Sequence, residues 1–281
     1  MNRRQFLKGA AAATAAVGVG GLGYGFAEAG DLRIERVGVA VKNLPAAFDG
    51  FTVAFLTDIH HGPYVGVEQV TGIVRTTRQL QPDLIVLGGD YCLRDAKYIA
   101  PCFDVLKNLR ADFGVFGVLG NHDHQHGLAE TQAAMRKAKV TELTNAGVWL
   151  MKGGARLWLA GVDDLWRGKP DLAPALVGVT DEDACVLVSH NPDFVERTLR
   201  DTRVGLVLSG HTHGGQVIVP GGTNPFIPSA YGDKYAHGLV EGPTARVYVS
   251  RGLGVTGVPV RYNCPPELTL LTLRSPAVTS S

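Results

Sequence analysis

Residues 86–95, VLGGDYCLRD, drive an apolar run into two glycines and an aspartate, and residues 115–127, VFGVLGNHDHQHG, repeat the arrangement with asparagine, histidine and aspartate. Near-continuous apolar runs of this length suit strands covered on both faces of a sheet, which reads as an α/β domain with several buried strands. Each run ends in groups that prefer water or a metal ion. Open α/β sheets collect ligands at the carboxyl ends of their strands, so the same two stretches that set the fold class also point to a site.

Working outward, residues 51–58 (FTVAFLTD), 184–190 (ACVLVSH) and 204–213 (VGLVLSGHTH) follow the same pattern, whereas 32–41 (LRIERVGVAV) alternates apolar and polar residues as a half-exposed edge strand does. Helical spacing is visible over 67–82, 97–112 and 127–140. A further helix is expected over 191–201, with Asn191 as N-cap and Pro192 at its first position. Residues 147–165 read as a hairpin around Gly153 and Gly154; 215–220, 245–252 and 267–275 supply more strands, and 220–238 reads as a long loop. No repeat or linker divides the chain.

The 281 residues are 45% hydrophobic, enough for one large domain. A formal net charge of +1 gives no overall basic field, so no nucleic-acid partner is expected. Cys92, Cys102, Cys185 and Cys264 lie far apart with no CxxC pair, against a structural zinc site and against a disulfide-dense scaffold. Residues 1–30 read differently from the rest. Arg3 and Arg4 precede an Ala/Gly-rich apolar stretch, with small residues around Ala27 to Ala29. This layout resembles a twin-arginine-type signal or N-terminal anchor ahead of a single domain over 31–281. It implies the twin-arginine export machinery as a partner and a periplasmic or membrane-associated place in the cell envelope.

The polar run ends form a set. Asp58 and His60 are two residues apart, as are His211 and His213, and on an extended chain that spacing turns both side chains to one face. Asp90, Asn121 and His190 close the other runs. Carboxylates, imidazoles and one amide carbonyl make a mixed oxygen and nitrogen donor set, suited to borderline divalent ions such as Mn, Fe or Zn.

Five ordered blocks, DIH (58–60), GGD (88–90), GNHD (120–123), SH (189–190) and GHTH (210–213), resemble the calcineurin-like metallophosphoesterase superfamily over nearly all of the chain after residue 30. The resemblance implies a four-layer α/β/β/α sandwich of two mixed sheets with a dinuclear metal site at the strand carboxyl ends. One ion would be held by Asp58, His60, Asp90 and His213. The other would be held by Asp90 as the shared bridge, Asn121, His190 and His211. His122 would be the catalytic acid, with Asp123 orienting its ring, and a hydroxide bridging the ions would attack phosphorus. Leu93 stands where purple acid phosphatases carry a metal-bound tyrosine, which argues against an iron–tyrosinate centre.

Other residues have weaker claims. His61 is placed on the substrate side, and Arg251 in the SRGLG stretch is read as a clamp for a phosphate. His124 and His126 read as a solvated loop, and Asp163 with Asp164 as a loop pair in solvent. DIHHG, GGDY, AGVDD and residues 250–273 look most like a bacterial envelope branch, which implies a phosphodiesterase. The alternative is pyrophosphate cleavage in the nucleotide–lipid precursor UDP-2,3-diacylglucosamine. A third reading, of another class, is a non-catalytic phosphate-binding module, and a nuclease is a fourth. Pro225, Phe226, Ile227 and Pro228 offer apolar surface for an acyl chain or the bilayer, or for packing over the core.

Overall fold

The apolar runs become strands of two facing sheets in a computed structural model that describes residues 23–219, 221–222 and 224–276. The strands are β1 (Arg33–Ala40), β2 (Thr52–Leu56), β3 (Leu84–Leu87), β4 (Val115–Gly117), β5 (Thr141–Glu142), β6 (Ala146–Lys152), β7 (Ala155–Gly161), β8 (Cys185–Val188), β9 (Leu206–Ser209), β10 (Gly238–Glu241), β11 (Arg246–Val249) and β12 (Glu267–Arg274). One sheet runs β1-β12-β2-β3-β4-β5 and the other β10-β11-β9-β8-β7-β6. Both are mixed: β2, β3, β4 and β5 pair in parallel while β12 meets β2 antiparallel, and β7, β8, β9 and β11 are parallel with antiparallel β6 and β10 at the edges. The alternating 32–41 segment lies at an edge, as its pattern requires.

The twofold periodicity of a strand sorts each run into two faces. On β2 and β3, Val53, Phe55, Leu84 and Val86 enter the layer between the sheets, where they meet Leu159, Val186, Val188 and Leu206. Their neighbours Ala54, Leu56, Ile85 and Leu87 face outward beneath α1 (Val67–Gln79), α2 (Ile99–Leu106) and α3 (Asn121–Lys137), packing with Val70, Ile73, Phe103 and Met135. A third apolar layer covers the outer face of the second sheet, where Trp158, Cys185, Leu187 and Val207 pack with Leu176 and Phe194 beside the short helices α4 (Leu172–Ala175) and α5 (Phe194–Arg197). Each large side chain fully buried in this way contributes about 1.5–3 kcal/mol of transfer free energy. The result is the expected four-layer sandwich.

Several elements depart from the sequence reading. The helix expected from residue 127 begins at Asn121 and kinks at Gly127, whose φ is 152°. Its first turn was hidden because it carries site residues in place of helix formers. The helix expected over 191–201 is a single turn, Phe194–Arg197. Asn191 does not act as its N-cap; Asn191 Oδ1 takes the Asp193 N–H at 2.9 Å in a local turn ahead of the helix. Residues 215–219 form no strand, because the left-handed Gln216 (φ 57°) breaks the extension and Val217 makes only an isolated bridge to Tyr262. The predicted signal lies largely outside the described residues. Its end, however, is packed structure: Arg261 N–H donates to Gly25 O at 2.9 Å, the Tyr24 and Tyr262 rings meet edge-on at 5.3 Å, and Ala29 joins the core. Residues 24, 25 and 29 thus pack against the domain expected over 31–281.

Candidate metal centre

The carboxyl ends of β2, β3, β8 and β9 and the amino end of α3 converge, bringing side chains from both sheets into one pocket. The backbone reaches it by bending rather than by extending. Asp58, His60, Asp90, His211 and His213 all have positive φ, from 50° to 70°. This left-handed region is uncommon for residues other than glycine, and Asn, Asp and His tolerate it best. The expectation that Asp58 and His60, or His211 and His213, share a face of an extended chain is thus corrected: the strands have ended, and the convergence comes from tight local turns. Hydrogen bonds hold these turns, including Asp58 N–H to Gly89 O at 3.0 Å, His60 N–H to Asp90 O at 3.1 Å and Gly254 N–H to Asp58 O at 2.7 Å. Glycine is required where backbone passes the carboxylates. A Cβ on Gly210 would lie 2.2 Å from Asp58 Oδ2, and one on Gly120 would lie 2.2 Å from Asp90 Oδ1.

Within the pocket His60 Nε2 lies 3.0 Å from His213 Nε2, and His213 Nε2 lies 3.3 Å from Asp58 Oδ1. Asp90 Oδ2 is 3.6 Å from His60 Nε2 on one side and 3.2 Å from His190 Nε2 on the other. His190 Nδ1 is engaged by Gly88 O at 2.8 Å, which turns Nε2 inward. Asn121 Oδ1 and His211 Nε2 are buried without a hydrogen-bond partner, and His190 Nε2 has the Asp90 carboxylate before it. Buried polar atoms are rarely left so, since each costs about 1–3 kcal/mol. The donor set, its burial and these three inward-facing atoms fit a pair of divalent ions.

The electrostatics fit as well. Burial drives His60 down to about 3, against the pull of Asp90, and drives His211 down to about 3, with His190 adding to the effect. Burial also opposes charge on His190, but Asp90 and Asp58 outweigh it and hold His190 well above the ordinary histidine range. Asp58 and Asp90 feel burial as a raising influence, overcome chiefly by His213 for Asp58 and by His190 for Asp90, so both remain carboxylates. Imidazoles thus stand in where cations belong.

Residues 51–215 match the family described as calcineurin-like phosphoesterase. The chain is a calcineurin-like phosphoesterase. It is 36% identical over 284 residues to the Bacillus subtilis (strain 168) metallophosphoesterase YkuE, covering 98% of each chain. It is 33% identical over 278 residues to the Escherichia coli (strain K12) phosphodiesterase YaeI, covering 97% of this chain and 99% of that one. Residues 1–20 match the twin-arginine translocation signal, which marks the phosphoesterase for export. No helix among the described residues is long and apolar enough to cross a membrane. The protein is a metal-dependent phosphoester hydrolase, and its cofactor is a pair of divalent ions.

Three residues given functional roles from the sequence sit elsewhere in the phosphoesterase. Asp123 does not orient His122: its carboxylate accepts backbone N–H groups from Asp90 at 2.8 Å, Gly120 at 2.9 Å and Tyr91 at 3.1 Å, closing the first turn of α3. Burial and the neighbouring Asp90 push Asp123 up to about 7 in spite of those donors. His61 is buried away from the pocket, with Nδ1 on Tyr98 O at 2.8 Å and its ring beside Cys92 and Cys102. Arg251 is no free phosphate clamp, because its guanidinium is paired with Glu35 and, through Nε at 3.0 Å, with Glu267.

Other residues, unassigned from sequence, do reach the site. His126 Nε2 lies 3.2 Å from His122 Nδ1, one helical turn along α3 at the i, i+4 spacing that a kinked helix disguises. The half-exposed Trp166 sets its ring edge-on against His211 at 4.2 Å. Asp164, read as solvent-exposed, is buried, and its Oδ2 accepts the N–H groups of Trp166 and Arg167 at 2.9 and 2.7 Å, fixing that loop. Asp163, half of the same pair, binds His124 Nε2 at 2.7 Å. Arg261 is fully buried behind His213, donating to Gly254 O at 2.6 Å and Arg251 O at 2.7 Å. Nothing in the composition around Arg261 signals such burial.

Proposed function

We propose that the phosphoesterase hydrolyses phosphodiesters on the exported side of the membrane, with one ion held by Asp58, His60, Asp90 and His213 and the other by Asp90, Asn121, His190 and His211. The observation that supports this most is the pair of buried, unpartnered ligand atoms Asn121 Oδ1 and His211 Nε2, with His190 Nε2 set before the Asp90 carboxylate at 3.2 Å. Two divalent ions at such a site supply Lewis-acid polarisation of a phosphoryl oxygen and lower the pKa of water enough for it to attack near neutral pH.

The chain's own groups supply the rest. His122 stands at the rim, its ring edge-on to His60 at 4.9 Å and its backbone N–H on Asp90 Oδ1 at 2.8 Å. With His126 Nε2–H as the donor, its hydrogen bond to His122 Nδ1 fixes His122 as the Nε2–H tautomer, which then presents a donor to the leaving oxygen. Help of this kind typically contributes ~100-fold to 10,000-fold. Trp166 offers an aromatic edge beside His211 that excludes water from that flank.

A diester is favoured over a monoester by charge. Arg251 is neutralised by two glutamates and Arg261 is engaged by carbonyls, so neither guanidinium is free to meet a second phosphoryl charge. The relative named a phosphodiesterase agrees. Cleavage of UDP-2,3-diacylglucosamine draws no support from the relatives named above. The test compares bis-p-nitrophenyl phosphate with p-nitrophenyl phosphate, using metal-reconstituted protein beside Asn121→Ala. Diester turnover that collapses in the variant is expected, while equal or preferred monoester turnover would count against the reading.

A further inference from the structure

A cavity of about 370 Å³ lies against the metal ligand His213, walled by Val217, Phe226, Pro228, Gly257 and Val258. Phe226 and Val258 are 72% and 60% exposed, large apolar groups held in water beside a catalytic pocket. Two of the polar side chains in the lining, Gln216 and Thr212, are engaged elsewhere. Gln216 Oε1 accepts the Thr256 N–H at 2.7 Å and Gln216 Nε2 donates to Thr256 O at 3.0 Å, while Thr212 Oγ1 donates to Ala236 O at 2.8 Å. Even His213 is committed, since Nε2 faces Asp58 and Arg261 lies behind its backbone carbonyl and Nδ1.

A wall this apolar, in which Thr256 carries the one side-chain hydroxyl not already engaged, offers little to a nucleobase or a sugar, both of which need their polar edges satisfied on burial. It suits hydrocarbon. Resting on the phosphodiester reading above, we infer that this cavity takes the alkyl or acyl arm of an amphiphilic phosphodiester, the arm that stays on phosphorus when the other ester bond is cleaved. The setting agrees with that occupant. Val260 N–H donates to Val258 O at 2.9 Å, and the next residues of the loop, Arg261 and Tyr262, carry the segment that leaves the signal sequence, where Tyr24 and Phe26 are 49% and 54% exposed. The cavity and residues 24–26 thus meet the same loop, 256–262.

The test uses p-nitrophenyl alkyl phosphodiesters, methyl to octyl, below their aggregation concentrations, so that the leaving group stays constant. In the metal-loaded full chain, kcat/KM is expected to rise about two- to fourfold per added methylene over the first carbons, mainly through KM. Phe226→Ser and Val258→Ser, both at exposed positions, are expected to flatten that slope. A flat series in an enzyme that turns over the methyl ester overturns the inference and leaves the phosphodiesterase reading standing; so does an unchanged slope in both variants. Silence on every diester, bis-p-nitrophenyl phosphate included, overturns the underlying reading and this inference with it.

Discussion

The carboxylate of Asp123 accepts the backbone N–H of Asp90 at 2.8 Å, making the first turn of α3 and the aspartate shared by both ion sites one mechanical unit. Asp123→Ala would leave three buried N–H groups without an acceptor, at roughly 1–3 kcal/mol for each group left unsatisfied. The expected outcome is a melting temperature lower by several degrees and reduced metal content, with Asn at this position recovering part of both. Because the carboxylate does not touch the His122 ring, the loss of activity should be equal for alkoxide and p-nitrophenolate leaving groups; a larger loss on the alkoxide would restore the orienting role expected from the sequence.

The His122–His126 pair makes a second prediction. His126→Ala should lower kcat about tenfold or more while leaving KM nearly unchanged, and Gln, which keeps a donor, should recover part of the loss. The defect should be larger for an alkoxide leaving group than for p-nitrophenolate, which needs little proton assistance. Equal defects on both would remove His126 from the proton path.

A third concerns protons released on metal binding. His60 and His211, held at about 3, are already neutral ligands at any ordinary pH. His190, held well above its ordinary 6.5 by Asp90 and Asp58 against the effect of burial, must shed a proton when its Nε2 takes an ion. Calorimetry in buffers of different ionisation enthalpy should therefore find about one proton released between pH 6.5 and the elevated pKa of His190, with apparent affinity rising about tenfold per pH unit there. The metal-free protein follows two signs. The lowered His60 and His211 make stability fall as pH drops from 6.5 toward 3, whereas the stabilisation from the raised His190 is present below 6.5 and lost as pH rises through its elevated value.

Much of this was readable in the chain. Buried strands such as 84–87 announce themselves because both faces are covered and every residue is apolar. The ligands announce themselves because aspartates and histidines follow such runs with no structural reason to do so. What stayed hidden depends on long-range geometry. Arg251 looked free because Glu35 and Glu267, which pair with it, lie far away in sequence. Asp123 looked like a partner for its neighbour His122, yet its donors are the backbone N–H of Gly120, which caps its own helix, and those of Asp90 and Tyr91, some thirty residues earlier in the chain. His126 was read as loop because the helix carrying it kinks at Gly127 and has polar residues through its first turn.

The most direct test of the central claim counts ions by elemental analysis alongside diester turnover in wild type, Asp90→Ala and His213→Ala. With Asp90 shared between both sites, the account expects two divalent ions per chain in active wild type, loss of both ions and of activity in Asp90→Ala, and retention of about one ion in His213→Ala. Full turnover by metal-free protein, or two ions retained by Asp90→Ala, would contradict it.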